Sequence, residues 1–378
     1  MAVESFKVNV LHVLTLNARN GEYGGPVRVA RELCTEMNNR GHETRIFSGA
    51  LEGAEPEAKP GLIERFVLVK PLSRKFPISS LWSWRIIPGL IKEIKVVDIV
   101  HIHFARDLIA FFAALISVLL GKPFVTQTHG MIIVDGRLST QLIDFLFTRR
   151  LINKSAVNLV LSEIEFASIR NLRVKARCKI LPNGIAINKA IQLTAKNRNR
   201  VAFCSRLEKR KGVEKFIDLA ESFHKSEISF EIYGPDGGEL QFVHSEIKSR
   251  KLSGSLKYKG SLTSEQVQKV LSEISLLVLP SKNEPFPMVV LEALAVGTPV
   301  LVMPSCGFAN NLRKFEPSFV AETEDLSGLI SALNKQNQAG YKTKSKKDIL
   351  NYCQEAFGIF SVTNILMTEY RIALKHEE

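Results

Sequence analysis

The chain has no apolar run long enough to cross a bilayer as a helix. Its longest, Leu108 to Leu120, is thirteen residues and stops at Gly121-Lys122-Pro123, against the roughly 20 that a crossing needs; it suits a buried core helix. Cysteine is sparse. The five thiols, at positions 34, 178, 204, 306 and 353, lack the paired spacing of a metal site, so they read as reduced and mostly buried. No basic leader with a cleavage site precedes the first strand-like segment, FKVNVLHVL, and the protein is expected to remain in the cytoplasm. There are no internal repeats, no low-complexity tracts and no G-x-G-x-x-G dinucleotide fingerprint after the first strand. Basic residues are dispersed without interleaved stacking aromatics, which argues against a nucleic-acid-binding module.

What is present is length, alternation and positive charge. With 378 residues and 45% hydrophobic content the chain can bury two cores. Short apolar runs alternate with helical patterns in both halves, which predicts parallel sheets flanked by helices, an α/β fold. Strands are predicted at 6–14, 43–48, 64–69, 98–103, 123–128 and 156–161, and helices near 26–40, 81–95, 106–120, 138–152 and 162–172. A polar stretch from Asn188 to Arg200 is the expected boundary, giving domains 1–188 and 189–358. In the second half strands are predicted at 200–204, 229–234, 256–259, 275–280, 299–303 and 318–321. Helices there are predicted at 212–225, 238–250, 263–273, 287–296, 325–335, 344–356 and 359–375. The net charge is +13 and uneven: residues 1–188 hold 25 Lys and Arg against 16 Asp and Glu, a net +9, leaving +4 for the rest. A basic first half fits an anionic partner such as a phospholipid surface, or simply solubility.

The most informative stretch is Leu279 to Val300, LPSKNEPFPMVVLEALAVGTPV. Proline biases the residue before it away from helical geometry, so Glu284 is expected in a loop. A helix is predicted from Pro287, where a missing N–H costs nothing, with Glu292 in its second turn and Gly297 and Pro299 ending it. The preceding LLVLP reads as a buried strand. Strand, loop and helix N-terminus make the usual seat of a phosphorylated ligand in an open parallel sheet, because free N–H groups and the helix dipole face the anion. A surface loop with two solvated glutamates fits the same residues.

Other strand ends carry further candidates. Arg206 follows a strand and Lys211-Gly212 opens the next helix. Such cations suit a diphosphate whose charge grows as it departs, Arg by bidentate contact and Lys as a mobile point charge. Lys209 and Arg210 are expected to be exposed. Gly234 at a strand end, and Gly24-Gly25 before Pro26, would let backbone approach a ligand, though tight turns alone would explain them. His101 and His103 alternate to one side of a strand, with no third metal ligand in view. His129 begins the loop after the strand ending at Thr128, at the carboxyl edge of the sheet.

The segment from Pro280 to Val300 resembles the Glu-x7-Glu motif of the retaining, nucleotide-sugar-dependent glycosyltransferases of family four. It matches at Pro280, Ser281, Glu284, Phe286, Pro287, Glu292, Ala293, Ala295, Gly297, Pro299 and Val300. Arg206 with Lys211-Gly212 is similar to that family's donor-phosphate clamp, and GGP…A.EL…RGHE to its N-terminal loop. The resemblance implies the GT-B fold: two Rossmann-like domains facing each other across a cleft, with the last helix (about 359–378) crossing back to the first. It implies that Gly24 and Gly25 approach the donor diphosphate. It places His103 at the cleft, His129 against the transferred sugar, Glu284 on the sugar hydroxyls and Glu292 on the ribose. One departure stands out. Where the family has Gly-Gly and a further acid, this chain reads VLVMPSCGFANNL: Gly307 is kept, but Asn310 and Asn311 stand near the expected acid, which puts donor affinity and sugar identity in doubt.

The expected activity is transfer of a hexose-type sugar, with retention, from a nucleoside-diphosphate sugar to a hydroxyl of a saccharide or lipid-linked saccharide, in cell-surface polysaccharide biosynthesis. No cofactor and no metal are expected, since cations can neutralise the leaving group and no Asp-x-Asp motif is present. A non-hydrolysing nucleotide-sugar epimerase is the alternative. Residues 72–95, LSRKFPISSLWSWRIIPGLIKEIK, mix Lys and Arg with Trp82, Trp84 and aliphatics. They are expected either to lie on the anionic inner face of the membrane or to pack as an ordinary amphipathic helix. No nucleic-acid partner is expected. UDP, GDP and ADP remain equal as the donor's carrier.

Overall fold

The structure is a computed structural model and describes residues 6–19, 24–57, 59–76, 78–132, 137–187, 199–337 and 344–375. The chain divides into two compact units, Met1–Ala186 with Ile359–Glu378, and Ile187–Gly358.

The first unit runs β1 (Asn9–Leu16), α1 (Gly24–Asn39), β2 (Glu43–Ala50), β3 (Ile63–Leu68), β4 (Lys70–Pro71), β5 (Leu81–Trp82), α2 (Ile86–Lys95), β6 (Ile99–His103), α3 (Leu108–Leu119) and β7 (Phe124–Gln127). It continues with α4 (Leu138–Ile143), which passes through a π-helical turn (Asp144–Thr148) into α5 (Arg149–Ile152), then β8 (Val157–Val160), α6 (Glu163–Asn171) and β9 (Cys178–Ile180). Seven strands form one parallel sheet in the order β3-β2-β1-β6-β7-β8-β9. Its central strands, such as the wholly buried IVHIH of β6, are buried on both faces because helices cover both. The strand order switches direction between β1 and β6, so the carboxyl ends of those two strands flank the crevice where an open α/β sheet takes a ligand.

The second unit repeats the plan. It runs β10 (Arg200–Cys204), α7 (Val213–Ser222), β11 (Ser229–Tyr233), α8 (Leu240–Ser249), β12 (Leu256–Tyr258), α9 (Ser264–Glu273), β13 (Leu276–Leu279), α10 (Met288–Ala295) and β14 (Val300–Val302). After these come α11 (Ala309–Phe315), α12 (Leu326–Asn337) and α13 (Lys346–Phe357). Its parallel sheet has the order β12-β11-β10-β13-β14, switching between β10 and β13. The last helix, α14 (Ile359–Lys375), belongs to the first unit. There Tyr370 and Glu369 reach His101 and Arg177, and Arg40 lies over the Phe360 ring at 4.2 Å.

Several expectations need correction. The helix predicted over 81–95 begins only at Ile86, because Leu81–Trp82 pairs with Lys70–Pro71 as a two-stranded ribbon. That helix buries Ile86, Leu90 and Ile94 in the core, each contributing about 2 kcal/mol, so it packs on the sheet. The strand predicted at 318–321 is a 3-10 turn, Pro317–Phe319, after which Val320 makes a single bridge to Val302. Neither β9 nor α11 was foreseen. Of the five free thiols, Cys34, Cys204, Cys306 and Cys353 are buried and Cys178 is partly so.

Candidate active site

In the second unit the candidate residues come from the loops after β10 and β13. After β10 the chain makes a 3-10 turn, Lys209–Lys211, and Gly212 caps α7 in the left-handed region at φ +78°. A Cβ there would stand 2.3 Å from the Pro280 carbonyl oxygen; glycine is what lets the two loops touch. Contact of the loops brings Lys211 to Glu284: its Nζ donates to both carboxylate oxygens, at 2.7 and 2.8 Å. Arg210, though exposed, leans on the same carboxylate at 3.6 Å. Glu284 is buried and sits in a loop, with Asn283 before it at φ +50°, a conformation asparagine tolerates. Its carbonyl accepts from Gly307 N at 2.8 Å, and a Cβ on Gly307 would fall 2.0 Å from the Pro285 oxygen. Gly307 is thus required to hold this loop.

Arg206, in the same loop after β10, donates from its guanidinium to Glu208 at 3.0 Å. Pro287 caps α10, and Glu292 is buried within that helix, close enough to Cys204 at the end of β10 to join burial in pushing that thiol up to about 12. Gly234 follows β11 at φ +141°, where a Cβ would collide with the Ser205 oxygen at 1.8 Å. Asn310 and Asn311 lie exposed at the start of α11, and the Asn311 carbonyl accepts from Tyr352 at 3.0 Å.

In the first unit His103 ends β6, and its Nδ1 lies 2.7 Å from Nε2 of His129. His129 is at φ +48°, a strained backbone for a non-glycine residue. Glu165 holds it there: one carboxylate oxygen takes Thr128 Oγ1 and Gly130 N, both at 2.5 Å, and the other takes Leu161 N at 2.6 Å. Sequence reasoning missed Glu165, because Ser162-x-x-Glu165 reads as a local capping box. Only half of that box forms: Ser162 accepts from Glu165 N, while the carboxylate reaches the His129 loop. Burial raises the Glu165 carboxyl.

The third histidine that sequence reasoning did not find beside His101 and His103 is His12 of β1, register partner of His101. The three are buried with ligand atoms within 4.8 Å. Their rings stack, His101 on His103 at 10° and His12 on His101 at 25°. Near-parallel rings cannot turn three in-plane lone pairs toward one ion, so the cluster does not fit a metal. Burial holds His12 and His129 down to about 3 and also lowers His101 and His103.

Gly24 and Gly25 are the first residues of α1, two ahead of the predicted start at Pro26; a Cβ on Gly25 would meet nothing within 4 Å. Beside the ends of β1 and β6 lies a cavity of about 490 Å³, walled by Phe76, Met131, Lys75, Thr15, Asp107 and His103 among others. Burial pushes the Asp107 carboxyl up to about 6, while Thr15 Oγ1 and Ala110 N donate to it.

Two Rossmann-like units, each switching strand direction where its candidate residues gather, define the fold class as GT-B. The chain belongs to the family-four glycosyltransferases: the family profile "Glycosyl transferases group 1" matches residues 185–347 and "Glycosyltransferase Family 4" matches residues 23–189. It is 22% identical over 343 residues to the 2-deoxystreptamine N-acetyl-D-glucosaminyltransferase of Streptomyces fradiae, covering 82% of this chain and 81% of that one. A GDP-mannose:cellobiosyl-diphosphopolyprenol alpha-mannosyltransferase of Xanthomonas oryzae pv. oryzae is 23% identical over 56% of this chain and 57% of its own. The fold is shared with Anabaena Alr3699/HepE in complex with UDP and glucose (TM-score 0.73, 16% identity, 96% and 99% covered). It is shared also with a glycosyltransferase from Rickettsia africae (TM-score 0.76, 14% identity, 98% and 99% covered). The protein is a glycosyltransferase of glycan biosynthesis, and nothing in these likenesses supports the epimerase alternative. No described helix is long and apolar enough to cross a membrane.

Proposed function

We propose that this glycosyltransferase moves a hexose-type sugar from a nucleoside-diphosphate sugar to a hydroxyl of a saccharide or lipid-linked saccharide, with retention, in cell-surface polysaccharide biosynthesis. The observation that carries this reading is the bond from Lys211 to both oxygens of the buried Glu284. It sets a fixed cation and a sugar-binding carboxylate side by side at the carboxyl ends of β10 and β13. In this reading Arg206 and Lys211 stabilise the departing diphosphate, with the N-terminal dipole of α10 adding to them. Glu284 grips sugar hydroxyls and Glu292 the ribose. His129 sits beside the anomeric region, with His103 behind it. Gly24, Gly25 and Gly234 let backbone approach the donor. Charge neutralisation by side chains makes a metal or cofactor unnecessary.

Calorimetric titration with UDP, GDP and ADP tests this directly and identifies the carrier. One of the three should bind, and Arg206→Ala or Lys211→Ala should each weaken it by roughly tenfold to a hundredfold, the worth of a charged hydrogen bond. Lys211→Ala should cost more, because it also leaves the Glu284 carboxylate unpaired. No binding by any carrier, or full affinity in both variants, would refute the assignment.

The acceptor side of the proposal rests on the first unit. The cavity beside His103 combines apolar walls with Lys75, which suits an acceptor carrying a lipid and an anionic group. Leu72, Phe76, Ile78 and Trp84 are exposed beside the exposed Arg74, Lys75 and Arg85. Leu138, Leu142, Phe145 and Phe147 are exposed near Arg149 and Arg150. With α2 committed to the core, 72–85 is the part of 72–95 left to meet an anionic inner leaflet, which would place the enzyme on the cytoplasmic face. Neutralising Arg74, Lys75 and Arg85 together should weaken binding to anionic vesicles about a hundredfold, at about 1 kcal/mol per charge; unchanged co-sedimentation would end the idea.

A further inference from the structure

His12, His103 and His129 form one hydrogen-bonded line of imidazoles running from inside the sheet to its carboxyl edge. His12 Nδ1 lies 3.1 Å from His103 Nε2, and His103 Nδ1 lies 2.7 Å from His129 Nε2. Exposure rises along it, from 0% at His12 and 1% at His103 to 9% at His129. His101 stands outside the line. Its Nε2 is 3.1 Å from the Gln127 side-chain oxygen, which can only accept, so its single proton is on Nε2 and its Nδ1 accepts from Tyr370 at 2.6 Å. Stacked at 4.6 Å on His12, it fixes the ring without lending it a proton.

A neutral imidazole has one N–H and one acceptor nitrogen, so the line allows two arrangements, with all protons pointing outward or all inward. The inner end decides between them. His12 Nε2 is buried and has no partner. If the protons pointed inward, that nitrogen would carry an orphaned N–H; if outward, it is a bare acceptor, the defect that folded proteins tolerate better. We propose that His12 is a positioning residue for sugar transfer: through His103 it fixes the proton of His129 on Nδ1, so that this nitrogen donates to an oxygen of the sugar or of the departing phosphate. The proposal rests on His129 lying beside the reacting sugar. Burial, which keeps all four rings uncharged at neutral pH, is the condition that makes a single proton per ring the whole account.

The test is long-range proton–nitrogen correlation on histidine-labelled full-length protein near pH 7.5, with the His129 signals assigned by their loss in His129→Gln. The expected spectrum shows His129 with Nδ1 protonated and Nε2 bare; the reverse, or an averaged signal, overturns the proposal. In His12→Phe, which keeps the stacked volume and removes the donor, His129 should become tautomer-averaged. There kcat should fall about tenfold with donor KM unchanged. A loss of turnover with the tautomer intact also overturns it, marking His12 as packing only. If His12→Phe fails to fold, the wild-type spectrum alone decides. A correct tautomer in a protein that transfers no sugar would fault the functional reading and leave the hydrogen-bond assignment standing.

Discussion

Glu284→Ala is expected to cut sugar transfer by about a thousandfold or more, the cost of losing one preorganised polar contact that strengthens in the transition state, while nucleoside diphosphate still binds. The second half of that expectation comes from the pairing. In the intact protein Lys211 Nζ is shared between the two oxygens of Glu284, so part of its charge is already answered. Removing the carboxylate frees that charge for a phosphate, and affinity for the bare diphosphate should hold or rise. Since removing one partner of a largely buried pair costs about 3–5 kcal/mol, thermal melting has to be followed alongside. Glu284→Gln, which keeps the volume, should separate lost chemistry from lost stability. Transfer within tenfold of wild type in both variants would remove Glu284 from the sugar site. Simultaneous loss of binding, transfer and melting would reduce it to a structural tie.

The loop that carries Glu284 was legible because prolines are local instructions. Pro285 and Pro287 keep their predecessors out of a helix whatever the rest of the chain does, and the helix indeed opens at Met288 with Pro287 as its cap. The alternation of apolar runs with helical patterns was legible for the same reason, since period and length are properties of a segment. What could not be read were decisions made by distant residues. Leu81 and Trp82 leave a predicted helix because Lys70 and Pro71 pair with them. No element is predicted from sequence over Ala309 to Phe315, yet it forms a helix that buries Ala309 and Leu312. His12 looked like one polar residue in an apolar strand until β6, 89 residues later in register, set His101 and His103 beside it.

Those same histidines should make the first unit sensitive to acid, unfolding it between about pH 6.5 and 4. His12 and His129 titrate near 3 in the folded chain, against 6.5 for a free imidazole. The unfolded state therefore takes up protons that the folded state refuses. Their stabilisation is complete above pH 6.5 and is lost as pH falls toward 3. At pH 5 the loss is about 2 kcal/mol per ring, and His101 and His103 are lowered in the same direction. Asp107 opposes the trend. Its carboxyl is raised to about 6, so its contribution is full below its unfolded value of 3.8 and is lost as pH rises through 6; on acidification it returns about 1 kcal/mol per pH unit below 6. Burial raises the Glu165 carboxyl too, so it opposes the trend in the same sense. The four histidines outnumber the two carboxyls, and their combined loss is a large share of a typical 5–15 kcal/mol of stability. Trp82 and Trp84 are the only tryptophans and both lie in this unit, Trp82 with its ring 4.8 Å from Phe112. Intrinsic fluorescence should therefore report the transition of this unit alone. His129→Gln, which deletes one titrating ring, should move the midpoint to lower pH. A fluorescence signal flat down to pH 3.5 would mean that the buried rings are charged in the folded protein after all, and that the neutral, stacked arrangement is not the one the molecule keeps.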